Sequence, residues 1–183
     1  MLTTRRLDLR PWQPEDAEAL YPLAKDPRIG PICGWMPHTS VDNSRQIIRD
    51  VLMADETYAV TFKGKSDPIG SIGLVIGAKS GLGLTPTEGE IGYWIGVPYW
   101  GQGLIPEAMR ELMRHGFEDL GLDGIYCGYF DGNEQSHRVQ QKCGMHYLRT
   151  LDEKVYPLIN QSKVQHVMYI SKAEWETLAR NTQ

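Results

Sequence analysis

Long apolar runs are absent from this 183-residue chain. No 18 consecutive apolar residues are available to span a bilayer, and the stretch from Met1 to Arg10 lacks the apolar centre of a secretory leader. A soluble, cytoplasmic protein is expected. Cysteine is scarce: Cys33, Cys127 and Cys143 are odd in number, far apart and in no C-x-x-C pair, which excludes a disulfide framework and a zinc knuckle. No block of Lys or Arg occurs and the formal charge is −4, so neither nucleic acid nor an anionic membrane is an expected partner. His115 and His137 lie on separate helices and read as surface histidines, so no metal site is expected. His166 alternates with Val167 along a strand and reads as packed, and Cys143, near a helix C-terminus, lacks the activation of a nucleophilic thiol. What remains is a 41% apolar chain without repeat, linker or biased tract, enough for one domain over residues 1–183.

Hydrophobic spacing gives the order of elements. Leu7 and Leu9 alternate as a strand, Pro14 to Ala24 reads as a helix that Pro22 bends or ends, and Gly30 to Pro37 is a Pro/Gly-rich passage. Ser40 and Asp42 precede a helix with Ile47, Ile48, Val51 and Leu52 on its apolar face. Tyr58 to Phe62, Ile69 to Ile76 and Glu90 to Val97 are β-rich runs that form an antiparallel meander. A helix follows with Ile105, Ala108, Met109, Leu112, Met113, Phe117 and Leu120 on one stripe, stopped by Gly121. Then come a strand at Ile125 to Phe130, a polar helix from Asn133 to Cys143, strands at Met145 to Thr150 and Lys163 to Ile170, and a last helix from Ala173. Hairpins mixed with β-α-β crossovers imply an α+β fold: a mixed, mostly antiparallel sheet of about seven strands with helices on both faces.

One segment carries chemistry. Between Ile95 and Ala108 a strand ends, Gly101 and Gly103 make a tight turn, and a helix opens with Pro106 in its first turn, where the missing N–H costs nothing. The free N–H groups of Gln102, Gly103, Leu104 and Ile105, aided by the helix dipole, suit a phosphate. No Gly-Lys-Ser/Thr closes the loop and Pro106 stands where a dinucleotide fingerprint needs its third glycine, so a nucleoside triphosphate or NAD is not the expected ligand. A turn that binds nothing is the alternative.

The element order and three motifs resemble the GNAT superfamily of acyl-CoA-dependent N-acyltransferases over nearly the whole chain. The family's pyrophosphate motif is Gln/Arg-x-x-Gly-x-Gly/Ala, and its positions here are Trp100, Gly103 and Ile105, so the central glycine alone is kept. Tyr99-Trp-Gly-Gln-Gly103 followed by Glu107 and Ala108 is similar to the branch that holds the ribosomal-protein alanine N-acetyltransferases. So are Asn133 to Ser136 leading into Lys142-Cys-Gly144, and Glu90 to Trp94.

The resemblance implies acetyl-CoA as cosubstrate, its pyrophosphate at Gly101 to Ile105. It also implies that the strands at Glu90 and Ile125 part beyond Glu90, so that exposed backbone at Ile95, Gly96 and Val97 pairs with the pantetheine arm. Glu90 is the implied general base, with an N–H near Trp94 to Gly96 facing the oxyanion. The tyrosine that many members place four residues before the closing glycine is Gln140 here, so Ser136 becomes the candidate donor to the leaving thiolate. Asn133 caps its helix and contacts pantetheine. Trp35 and His38 from the Ile32 to Ser40 segment, the Gly77 to Gly89 loop, and Tyr156 from the loop between the last strands are candidate acceptor walls. The implied reaction moves acetyl from acetyl-CoA to a primary amine, with a peptide N-terminus favoured, by a monomer or homodimer. The alternatives are a catalytically inactive acyl-CoA sensor and a flavodoxin-like phosphate-binding module, whose parallel sheet the meander disfavours.

Overall fold

The computed structural model describes residues 1–181. Its strands are β1 (Leu2–Thr3), β2 (Leu7–Pro11), β3 (Thr57–Phe62), β4 (Pro68–Ile76), β5 (Glu88–Ile95), β6 (Gly124–Phe130), β7 (His146–Tyr156) and β8 (Gln161–Ser171). They form one sheet in the order β1-β2-β3-β4-β5-β6-β8-β7. Only β5 and β6 run parallel; every other neighbouring pair is antiparallel. The strand count is therefore eight, not about seven, because Leu2–Thr3 is too short to show a period yet pairs with Leu9 and Asp8. β7 extends to Tyr156, six residues past the expected end, because pairing with β8 and not burial defines it: Asp152, Glu153 and Lys154 are all exposed.

Helices α1 (Ala17–Ala24), α2 (Gly30–Cys33) and α3 (Val41–Ile47) cover one face. Ser40 caps α3 by accepting from the Asn43 N–H, and a wider turn carries the helix on through Leu52. Ile48 seals against Trp12, Leu20 and Ala59, while Val51 stays 58% exposed because that wider turn rotates it off the expected stripe. The opposite face takes α4 (Leu104–Arg114), α5 (Glu134–Lys142) and, at the C-terminal end, α6 (Lys172–Asn181). Ala108, Met109, Leu112, Met113 and Phe117 are fully buried beneath α4 and its continuation, against Leu7, Leu9, Ile72, Ile91 and Ile125. Among the described residues no helix is long and apolar enough to cross a membrane.

The parallel pair decides where the site lies. β5 and β6 are in register from Glu88↔Gly124 to Ile91↔Cys127 and then separate. Each strand stays with its other neighbour instead: β5 follows β4 to Gly70↔Ile95, and β6 follows β8 to Phe130↔Gln165. A wedge opens between them beyond Ile91.

Candidate functional site

Alternation along β5 sorts its side chains. Ile91 and Ile95 join the α4 core, while Trp94 packs on the α1–α3 face, so Glu90, Gly92 and Trp94 share that second face and Tyr93 turns toward α4 and α5. The same alternation sorts the backbone. The Leu74 N–H bonds to Glu56 on the β3 side and the Gly96 N–H bonds to the Ile69 carbonyl, so the Tyr93 and Ile95 peptide groups point into the wedge. Two side chains cap carbonyls there: Trp100 Nε1 donates to Ile95 O at 2.9 Å and Gln140 Nε2 donates to Gly128 O at 3.2 Å.

The wedge opens into a cleft of about 570 Å³. One end is the glycine turn. Gly101 and Gly103 have φ of 74° and 71°, a region glycine enters freely, and they tip the chain into α4. Among the described residues, the amides from Gly101 to Ile105 find no acceptor. Arg6 braces the turn: it donates to Gln102 O at 3.1 Å and pairs with Glu107 at 2.6 Å. Burial pushes the Glu107 carboxyl up, but hydrogen bonds from Thr4 and Arg6 outweigh it and hold it below its usual range. Arg138 and Lys142 on α5 line the same end and add positive charge.

In the middle, Asn133 caps α5 by accepting from the Ser136 N–H at 3.2 Å. The Tyr93 hydroxyl lies 2.8 Å from Ser136 Oγ, which also accepts from Gln140 Nε2 at 3.1 Å. Glu90 lines the cleft too, and among the described residues its carboxylate has no hydrogen bond or ion pair. Burial raises its pKa to about 7 against the opposing pull of Lys154. At the far end Tyr156 packs edge-on against Phe130 with centroids 4.7 Å apart, and its hydroxyl donates to Gln165. Ile29, Ile32 and Cys33 of the α2 region complete that wall.

Several expected residues sit elsewhere. Gly96 and Val97 do not line the cleft, because the Gly96 amide is used by β4 and Val97 opens a tight turn to Tyr99. The strand groups facing the wedge belong to Tyr93 and Ile95. Gln102 also lies off it, with its side chain bonded to Pro98 O at 3.0 Å. His38 is 7% exposed and bonded to Ser44 Oγ at 2.8 Å, a core contact whose burial lowers its pKa. Trp35 packs between His38, tilted to it, and Trp94, edge-on to it, and lines a neighbouring slot of about 240 Å³ that Gly73 and Gly92 also border. The Gly77 to Gly89 loop lines neither hollow. Tyr156 reaches the cleft as the last residue of β7, not from a loop. His115 and His137 are partnered rather than free, His115 to Glu56 and Asp119 and His137 stacked on Tyr129. Sequence reasoning passed over Tyr93, Arg138 and Lys142. The i, i+4 spacing of the two cations was a readable signal, whereas nothing in the sequence pairs Tyr93 with α5.

Free amides at a glycine turn, parted parallel strands and the part-buried Glu90 carboxyl meet in this one cleft. The family model described as an acetyltransferase (GNAT) domain matches residues 6–146. The chain is 32% identical over 130 residues to an uncharacterized N-acetyltransferase, p20, of Bacillus licheniformis, covering 68% of this chain and 70% of that one. It is 28% identical over 177 residues to the "Putative ribosomal N-acetyltransferase YdaF" of Bacillus subtilis, 93% of each chain. A GNAT-family acetyltransferase from Bacillus anthracis shares the fold with a TM-score of 0.79 at 20% identity, over 94% of this chain and 98% of that one. The chain belongs to the GNAT acetyltransferase family and is an acetyl-CoA-dependent acyltransferase.

Proposed function

We propose that the protein moves acetyl directly from acetyl-CoA to a peptide or protein α-amine, with Glu90 as general base and Ser136 as donor to the leaving sulfur. The observation that carries this is the unpaired Glu90 carboxyl inside the wedge, its pKa raised to about 7 by burial. Such a base matches its acceptor: an α-ammonium group titrates near 7.7–8.0, whereas a lysine ammonium near 10.4 would resist it by roughly three further pH units. Two carboxylates line the cleft, Glu90 and the largely exposed Glu134, and Ile29, Ile32, Phe130 and Tyr156 of the same lining are apolar or aromatic. A polyamine would leave its remaining cations unpaired there.

Acetyl-CoA supplies an activated acyl group on a thiol that leaves readily. The free amides of Gly101, Gly103, Leu104 and Ile105 suit its pyrophosphate, helped by Arg138 and Lys142, and the Tyr93 and Ile95 peptide groups suit the pantetheine amides and the developing oxyanion. Glu90 takes a proton from the amine through water. The C–N bond forms first, placing charge on the carbonyl oxygen; its collapse breaks the C–S bond, and Ser136 meets the electron pair that settles on sulfur. Calorimetry with acetyl-CoA, followed by thiol release over N-terminal peptides and polyamines, tests the reading. Peptide-dependent release is expected; absent binding, or turnover confined to polyamines, refutes it.

A further inference from the structure

Gln140 occupies the position where many relatives carry a phenol, yet a phenol reaches the same spot from another element. Tyr93, on β5, brings its hydroxyl 2.8 Å from Ser136 Oγ and 3.5 Å from Gln140 Nε2. The amide orientation of Gln140 is fixed, because reversing it would set two carbonyl oxygens against each other at Gly128. That choice leaves Gln140 Oε1 buried without a partner on a side chain that is 0% exposed. An orphaned buried acceptor is costly, and it persists here because both Nε2 protons are committed to Gly128 O and Ser136 Oγ.

Serine has two acceptor positions and one proton. Gln140 fills one acceptor position. The Tyr93 hydroxyl lies 2.8 Å from Oγ, a contact in which either oxygen can donate, and 3.2 Å from the Ser136 carbonyl, which the α5 ladder already supplies; donation by Tyr93 to Oγ fills the second position. With Tyr93 and Gln140 both donating to Oγ, the serine proton is left for the cleft that Ser136 lines. We propose that Tyr93, seconded by Gln140, is a positioning residue that makes Ser136 an obligate hydrogen-bond donor toward the coenzyme sulfur. Burial holds the Tyr93 phenol far above its usual pKa, so it stays a donor throughout the working range. No proton leaves Tyr93: it orients the donor that steadies the thiolate. The proposal rests on the coenzyme reading above, which places sulfur at Ser136.

The test needs no acceptor. CoA bound to the protein is titrated through the ultraviolet absorbance of its thiolate, in wild type, Ser136→Ala, Tyr93→Phe and the double variant, with calorimetry and thermal melting as controls for binding and fold. A bound thiol pKa below the ordinary value of about 8.5 is expected in wild type. Ser136→Ala cuts the thiolate-to-thiol ratio at fixed pH by about tenfold, as loss of one charge-assisted hydrogen bond implies, and Tyr93→Phe cuts it by about threefold. The double variant matches Ser136→Ala alone, since Tyr93 acts through the serine. Gln140→Met, which frees one acceptor position on Ser136, shifts the fraction in the direction of Tyr93→Phe. A Tyr93→Phe titration superimposable on wild type overturns the proposal, as does a further fall when that change is added to Ser136→Ala. Failure of CoA to bind wild type instead overturns the coenzyme reading beneath it.

Discussion

Replacing Glu90 by glutamine should raise stability and remove activity together. Its carboxyl titrates near 4.5 when solvated and near 7 in the fold, because burial penalises the charge more than Lys154 relieves it. Between those values the folded state holds a proton that the unfolded chain has released, so stability is full below about 4.5 and is lost as pH rises through about 7. The difference corresponds to at most about 3 kcal/mol at pH 8, and water in the open cleft brings the expected figure to about 1–3 kcal/mol. Glutamine keeps the shape and carries no charge. Urea unfolding should therefore give Glu90→Gln an advantage of about 1–3 kcal/mol at pH 8 that vanishes at pH 4, with a melting temperature at pH 8 higher by roughly 3–8 °C. Over the same range kcat/KM of the wild type should climb with pH through a midpoint near 7, and the variant should lose on the order of 100-fold in kcat. Parallel stability curves for the two proteins at pH 4 and pH 8 would refute the reasoning, because an unpaired buried carboxylate cannot be neutral in its effect at both.

Gly103→Ala tests the glycine turn: its φ of 71° costs a Cβ-bearing residue about 1 kcal/mol or more with no steric clash, and acetyl-CoA affinity by calorimetry should fall several-fold. Glu107→Ala removes the acceptor that Thr4 and Arg6 share at the start of α4, and denaturant unfolding should show a loss of about 1–3 kcal/mol. Gly92→Val projects into open space between the cleft and the Trp35 slot, so steady-state kinetics should show a higher KM for bulky N-terminal peptides at constant KM for acetyl-CoA.

The separation of β5 and β6 creates an accounting problem for the backbone, and the way it is solved explains residues of no obvious purpose. Beyond Ile91↔Cys127 the facing carbonyls lose the partners a continuous sheet would provide. Trp100 caps Ile95 O from the turn that follows β5, and Gln140 caps Gly128 O from α5. A Cβ at Gly128 would meet the end of the Gln165 side chain on β8, which would have to turn aside. Both walls of the wedge are thus held open by side-chain donors, which leaves the Tyr93 and Ile95 amides for a ligand.

Local information was enough for much of this protein. The meander, the α4 stripe, the Ser40 and Asn133 caps and the glycine turn each depend on residues within one or two turns of one another, so propensity and spacing disclose them. Glu90 entered as a candidate by another route, the resemblance of the Glu90 to Trp94 segment to the GNAT family, and not by propensity or spacing. What crosses the chain was not legible. The burial of His38 depends on α1 and α3 closing over it, through Ala24 and Ser44, and the length of β7 depends on β8. The meeting of Tyr93 with Ser136 and Gln140 joins residues 43 and 47 positions apart. The pKa of Glu90 belongs wholly to the tertiary structure, since burial is a property of everything packed around a group and not of its neighbours in sequence.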